Sequence, residues 1–184
     1  MKAIVLFHPN KKSLHSMSEL PLDGFILFKQ INKEDPVKVT IYLKGLPEGA
    51  HGFHIHEKSM DEIKKCNNVG DCCKQLGGHF SVEPAWSLDN LNGVKHGEHT
   101  GDLCFNIFSD YGIAEHHFLD HKISLFPKEK NNVIDRTLVI HENRDDMGMA
   151  HYEEDEKNIE SLITGNAGSR IACGQIKLIQ NERI

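Results

Sequence analysis

A chain of 184 residues, 39% hydrophobic and 26% charged, holds enough apolar material for one packed domain, and residues 1–184 are expected to form a single unit. Its formal net charge of −6 argues against nonspecific nucleic-acid binding, which needs a basic face. The apolar run near the start, Ala3 to Phe7, is too short for a signal-peptide core or a bilayer span, so the expectation is a cytoplasmic chain with no membrane partner.

In chain order, short alternating apolar runs are cut by turn residues. "KAIVLF" and "DGFILFKQ" read as the first strands. "PVKVTIYLKGL" sets Val37, Val39, Ile41 and Leu43 on one face and Lys38, Thr40, Tyr42 and Lys44 on the other. "GFHIHE", "GDLCFNIF", "GIAEHHFLD", "HKISLF", "RTLVIHE" and "IACGQIKLIQ" continue the series. Many short strands without intervening helices imply an all-β antiparallel sandwich or barrel. Three long polar stretches, 57–78, 81–98 and 145–168, interrupt the rhythm, and part of 152–163 could be a short helix. Loops of this length in a compact domain are usually functional or disordered. Each begins or ends near a histidine or cysteine, which favours function.

His54 and His56 stand two apart, so on a strand their imidazoles share one face. By themselves they fit either a solvent-facing strand edge or half of a metal site. His79 follows Gly77-Gly78, His141 ends "RTLVIH", and His96, His99 and Asp102 form the pattern H-x₂-H-x₂-D. Such a turn can wrap one tetrahedral ion, and a shell of histidines with one aspartate suits zinc. The remaining histidines would make an all-nitrogen site of the kind that suits copper.

"GFHIHE", "GGHF", "HTGDL", "RTLVIHE" with "DDMG", and "GNAGSRIACG" stand in the order of five signatures of the copper/zinc superoxide dismutases, and the chain resembles that family from "KAIVLF" to "IKLIQ". The resemblance implies an eight-stranded Greek-key sandwich or flattened barrel with long metal-binding and electrostatic loops. It implies copper held by His54, His56, His79 and His141, and zinc held by His79, His96, His99 and Asp102, with His79 shared. It implies Asp145 as a carboxylate joining a copper histidine to a zinc histidine, a Cys73–Cys173 disulfide, and Arg170 beside the copper as the contact for the incoming anion. The implied activity is dismutation of superoxide to O₂ and H₂O₂ by one-electron copper cycling, with His79 moving a proton and a homodimer as a possible assembly.

The chain departs from the pattern in places. The stretch from Glu57 to Cys73 is longer than usual, which puts the usual dimer contact in doubt and makes Cys72 a rival to Cys73 for the disulfide. Ile163 stands where a guiding lysine would be expected, and Lys157 is a candidate substitute. His51 reads as a hydrogen-bonded core residue. His116, His117 and His121 read as surface residues, and His8, His15 and His151 as loop residues. Cys104 reads as a small packed hydrophobe and Trp86 as local packing. Two other functions fit less well: a copper-binding or chaperone module of the same fold without turnover, and a zinc-only structural sandwich. The first tends to lose donors that are present here, and the second has no need of His54, His56 and His141.

Overall fold

The structure, a computed structural model, describes residues 1–8, 15–103, 106–149 and 156–180, with the side chains of 156–158 left out of the description. Two antiparallel sheets face each other. The first has the order β11-β1-β3-β4-β8, with β1 at Lys2–Phe7, β3 at Asp23–Lys29, β4 at Val37–Lys44, β8 at Ile113–Asp120 and β11 at Lys177–Leu178. The second has the order β2-β10-β9-β6, with β2 at Ser16–Ser18, β6 at Phe53–His56, β9 at Thr137–His141 and β10 at Arg170–Gln175. A small pair joins β5 (Gly49–His51) to β7 (Ile107–Ser109). Non-consecutive neighbours, β4 with β8 and β6 with β9, mark the crossovers that a Greek key requires. The expected antiparallel sandwich is present, with eleven strands among the described residues rather than eight; β5 and β6 are separated only by Gly52, and β10 and β11 only by Ile176.

The period-2 pattern decides what is buried. Val37, Val39, Ile41 and Leu43 of β4 all point inward. They meet Phe53 and Ile55 of β6 and Leu138 and Ile140 of β9 across the sandwich. The opposite face of the second sheet is covered as well, which leaves every residue of β6 and β9 buried. Part of that cover is the 57–78 stretch, whose Met60, Val69, Cys73 and Leu76 pack on Val139 and Cys173. A sheet covered on both faces can carry polar groups on its outer face only where they find partners. His54 and His56 lie on that outer face, opposite Val139 and Thr137 in register.

Three local readings change. "HKISLF" is not a strand: Asp120 Oδ1 accepts the backbone N–H groups of Lys122 (2.8 Å) and Ile123 (3.0 Å), which turns the chain where pairing would have continued. The 57–78 stretch is not irregular throughout. It holds a 3₁₀ turn at Met60–Glu62, closed by a capping box from Ser59, and helix α1 at Val69–Lys74, whose N-cap Asn68 accepts from Asp71 N. The helix expected within 152–163 runs as α2, Glu156–Thr164. His151 and Cys104 lie outside the described residues, as does the side chain of Lys157.

Candidate metal centre

Backbone bonds bring the two histidine-bearing loops to the free edge of β6. Ile55 N donates to Gly101 O (2.9 Å), Phe80 N donates to Ile55 O (2.7 Å), and Gly101 N donates to Phe80 O (2.6 Å). His79 and Asp102 thereby form bridges to His56 and His54. β9, the other neighbour of β6, ends on His141. The outcome is a packed cluster: the His79 ring centre lies 4.1 Å from His54, 5.0 Å from His56, 5.1 Å from His96 and 5.8 Å from His99.

The donor atoms fall into two groups that share His79. His54, His56, His79 and His141 bring their nearest side-chain ligand atoms within 4.8 Å of one another, and so do His79, His96, His99 and Asp102. Every candidate ligand named from the sequence is in one of these groups. In the second, Asp102 Oδ1 lies 2.7 Å from His79 Nδ1 and 3.5 Å from His96 Nδ1, and Asp102 Oδ2 lies 2.9 Å from His99 Nδ1.

The outward-facing ring atoms fix the tautomers. His56 Nδ1 meets Gly77 O at 3.0 Å and His141 Nδ1 meets Gly168 O at 3.1 Å. A carbonyl only accepts, so both Nδ1 atoms carry the proton and both Nε2 atoms present a lone pair. Asp145 does the same for two more rings: Oδ2 takes His54 Nε2 at 2.5 Å, and His96 Nε2 lies 2.8 Å from both Oδ1 and Oδ2. Of the atoms left over, His54 Nδ1, His56 Nε2, His141 Nε2 and His96 Nδ1 are buried without a hydrogen-bond partner, while His99 Nδ1 is buried facing Asp102 Oδ2 at 2.9 Å. Buried polar atoms without partners are costly and rare. Four of them converging as lone pairs fit metal ions, which neutral imidazole binds well. The grouping of His54, His96 and Asp145 is of another kind, because there the imidazoles face the carboxylate with their N–H groups.

Charge follows the same geometry. Burial holds the imidazoles of His54 and His56 well below their ordinary range, lowers His79, and brings His141 down to about 4. His96 moves the other way, since Asp145 and Asp102 outweigh its burial. Burial opposes ionisation of Asp102 and Asp145, yet their imidazole partners hold both carboxyls far below the usual carboxylate range. The neutral rings of His54, His56, His79 and His141, beside ionised carboxylates, are in the protonation states that metal ligation requires.

The surrounding shell is equally specific. Asp145 is held by Asn106, whose Oδ1 accepts Asp145 N (2.7 Å) and whose Nδ2 donates to Asp145 O (3.0 Å). A Cβ at Gly165 (φ +71°) would lie 2.2 Å from Asp145 Oδ1 and 2.4 Å from His96 Nε2, so only glycine lets the loop close over that bond. Lys122 supports the 96–102 turn from beneath: its Nζ donates to His99 O (3.0 Å), Gly97 O (3.4 Å) and Asp102 O. Arg170 donates from Nη1 to Cys73 O (2.6 Å) and from Nη2 to Gly77 O (2.9 Å), the carbonyl that also orients His56. Cys73 and Cys173 are bonded, with Cα atoms 6.2 Å apart. The rival Cys72 is bonded to Cys66 instead. An open cavity of about 530 Å³, lined by His79, His141, Thr164 and Arg170 among others, reaches the cluster.

Sequence reasoning missed Asn106, Lys122 and the Cys66–Cys72 bond. The chain's five cysteines, an odd number, gave no signal for the last. His51 is a structural residue as expected, bonded at both nitrogens to His141 O and Pro47 O (2.9 Å each). His117 and His121 are exposed, but His116 is half-buried against the backbone of Phe108 (Nε2 to O, 2.9 Å).

Comparison with known proteins agrees with this geometry. The profile of the family described as "Copper/zinc superoxide dismutase (SODC)" matches residues 22–176. "Superoxide dismutase [Cu-Zn] A" of Xenopus laevis is 38% identical over 154 residues, covering 83% of this chain and 87% of that protein. "Superoxide dismutase [Cu-Zn] 5" of Dictyostelium discoideum is 34% identical over 158 residues, covering 85% and 91%. "Extracellular superoxide dismutase [Cu-Zn]" of Drosophila melanogaster is 35% identical over 153 residues, covering 83% and 74%. On the family profile and these identities, the chain belongs to the copper/zinc superoxide dismutase family.

Proposed function

We propose that this chain converts superoxide to O₂ and H₂O₂, with His54, His56, His141 and His79 holding copper and His79, His96, His99 and Asp102 holding zinc. The observation that carries the reading is the set of four partnerless buried imidazole nitrogens converging, with His99 and Asp102, on two pockets that share His79. Copper, when bound, supplies the one-electron exchange that redox-inert zinc lacks.

The chain's residues have distinct tasks. Asp145 aims His54 and His96 from behind, and so ties the two pockets to one carboxylate. His79 keeps Nδ1 toward Asp102, which leaves Nε2 free to hold a proton and hand it to an anion in the cavity. Arg170, fixed by two carbonyls, keeps N–H donors available for that anion. The copper-chaperone alternative gains no support, since the expected metal donors and Arg170 are all present at the site.

The test is direct. The protein loaded with both metals is expected to show a visible copper absorption and a cyanide-sensitive loss of superoxide. Full metal content without superoxide loss would favour the metal-carrier reading instead.

We further propose a homodimer, which the family resemblance implies and which light scattering would read as twice 20.8 kDa. The cytoplasmic expectation meets opposing support. Two disulfides are the kind of crosslink an oxidising compartment maintains, and one relative is named extracellular. Among the described residues no helix is long and apolar enough to cross a membrane.

A further inference from the structure

We infer that Lys74 forms, with Arg170, a two-cation site for small inorganic anions at the cavity mouth, taking superoxide on its way to the imidazole cluster and oxyanions such as inorganic phosphate in competition with it. The superoxide half of this rests on the dismutase reading above.

The starting point is a charge conflict. A chain of net charge −6 repels an anionic substrate at long range, so attraction has to come from charges within about 8–10 Å, roughly one Debye length, of its path. The cavity supplies them unevenly. Among the described residues its charged lining side chains are Lys74, Arg170 and Glu160. Counting these side chains alone, with the imidazoles neutral, that is two cations against one anion; without Lys74 the count is one against one.

The expected source of positive charge is elsewhere and does not serve. Ile163, at the position where the family resemblance would put a lysine, is an apolar side chain 38% exposed, and the described charge that α2 brings to the cavity is the anionic Glu160. Lys74 comes instead from the last turn of α1, in the lengthened 57–78 stretch.

Its position is set by the bonds that set Arg170. The residue before it, Cys73, accepts Arg170 Nη1 at its carbonyl and is bonded through its sulfur to Cys173 on β10, the strand that begins at Arg170. Lys74 is exposed, and among the described residues it has no carboxylate within 4.0 Å. Arg170 already uses two donors on backbone carbonyls. An ammonium free of such ties complements it, as a mobile point charge beside a fixed fork.

A purely structural role predicts something else. A lysine in the last turn of a helix offsets the negative end of its dipole, and its loss would change stability without changing anion affinity. The experiment therefore compares metal-loaded wild-type protein with Lys74→Gln, Lys74→Glu and Lys74→Arg. It reads kcat/KM for superoxide across ionic strength, phosphate affinity by calorimetry, and copper and zinc content. Lys74→Gln is expected to lower kcat/KM about two- to fivefold at low ionic strength, to flatten the salt dependence and to weaken phosphate binding. Lys74→Glu should go further in all three, and Lys74→Arg should retain them, with metal content unchanged throughout. Unchanged rate, salt slope and phosphate affinity in Lys74→Gln would overturn the assignment. So would a Lys74→Arg variant as impaired as Lys74→Gln. A metal-replete wild-type protein that removes no superoxide overturns the dismutase reading itself, and is told apart because it appears before any variant is measured.

Discussion

The two pockets that share His79 are built from different materials. His54, His56 and His141 stand on β6 and β9, paired strands whose register fixes the directions of their side chains before any ion arrives. His96, His99 and Asp102 stand outside the named strands, on a turn tied by Gly97 N and His99 N to Asp102 Oδ2, by His96 N to Leu162 O (2.8 Å), and by Lys122. The strand-built pocket opens on the cavity through His79 and His141, whereas His96, His99 and Asp102 are not part of that lining. A rigid open pocket suits a metal that must meet substrate, and a closed pocket on a loop suits a metal that holds structure. The difference assigns the loop pocket the larger stake in stability.

Zinc removal tests that contrast with the largest effect. An ion present at about 1,000 times its Kd stabilises the folded chain by about 4 kcal/mol, about 8–16 °C of melting temperature for a domain of this size. Chelating zinc should produce a drop of that order and should release hydrogen exchange at Gly97 and His99, while the amides between β6 and β9 stay protected. Equal loss of protection in both regions would break the comparison.

Acid gives the next effect, this time from the strand-built pocket. In the metal-free folded chain, burial keeps His141 neutral down to about 4, whereas an unfolded imidazole takes its proton near 6.5. Between those values the unfolded state binds more protons, so this stability is fully present above pH 6.5 and is lost as pH falls toward 4. His141 accounts for about 3 kcal/mol, and His54 and His56, held down by burial as well, add in the same direction. His96, with its raised value, opposes them. Urea midpoints of the metal-free protein at pH 7.5 and pH 5 check this, and a flat profile would contradict it.

Asp145→Asn sharpens the comparison by acting on both pockets at once. Loss of such an outer ligand contact costs about 10–100-fold in metal affinity, about 1.4–2.8 kcal/mol per ion. Because the one carboxylate takes both His54 and His96, copper and zinc titrations should both weaken. Weakening of one metal alone would mean that Asp145 does not couple the two.

Much of this was legible without coordinates because the relevant rules are local. Two histidines at i and i+2 share a face on any strand, and Ile55 between them had to enter the core, as it does. H-x₂-H-x₂-D can close on itself in one turn. The residues that escaped notice act across the chain. Asn106 reaches Asp145 over 39 positions, and Lys122 reaches His99 over 23, with no spacing to announce either. "HKISLF" looked like a strand because its apolar residues alternate, but the Asp120 side chain competes for the amides that pairing would have used. α1 was hidden because six residues show no helical period; only the Asn68–Asp71 cap hinted at it. The two cysteines that begin and end the ambiguity, Cys72 and Cys73, are adjacent helical residues. They point to different partners, which spacing alone could not assign.

The account depends on a single imidazole standing between two different ions. Crystals of the metal-loaded protein, with anomalous difference maps recorded at the copper and zinc absorption edges, test this most directly. The expected result is one copper peak at His54 Nδ1, His56 Nε2 and His141 Nε2, one zinc peak at His96 Nδ1, His99 Nδ1 and Asp102, and the His79 ring in contact with both. Peaks on only one side of that ring, or the two elements exchanged between the pockets, would contradict it.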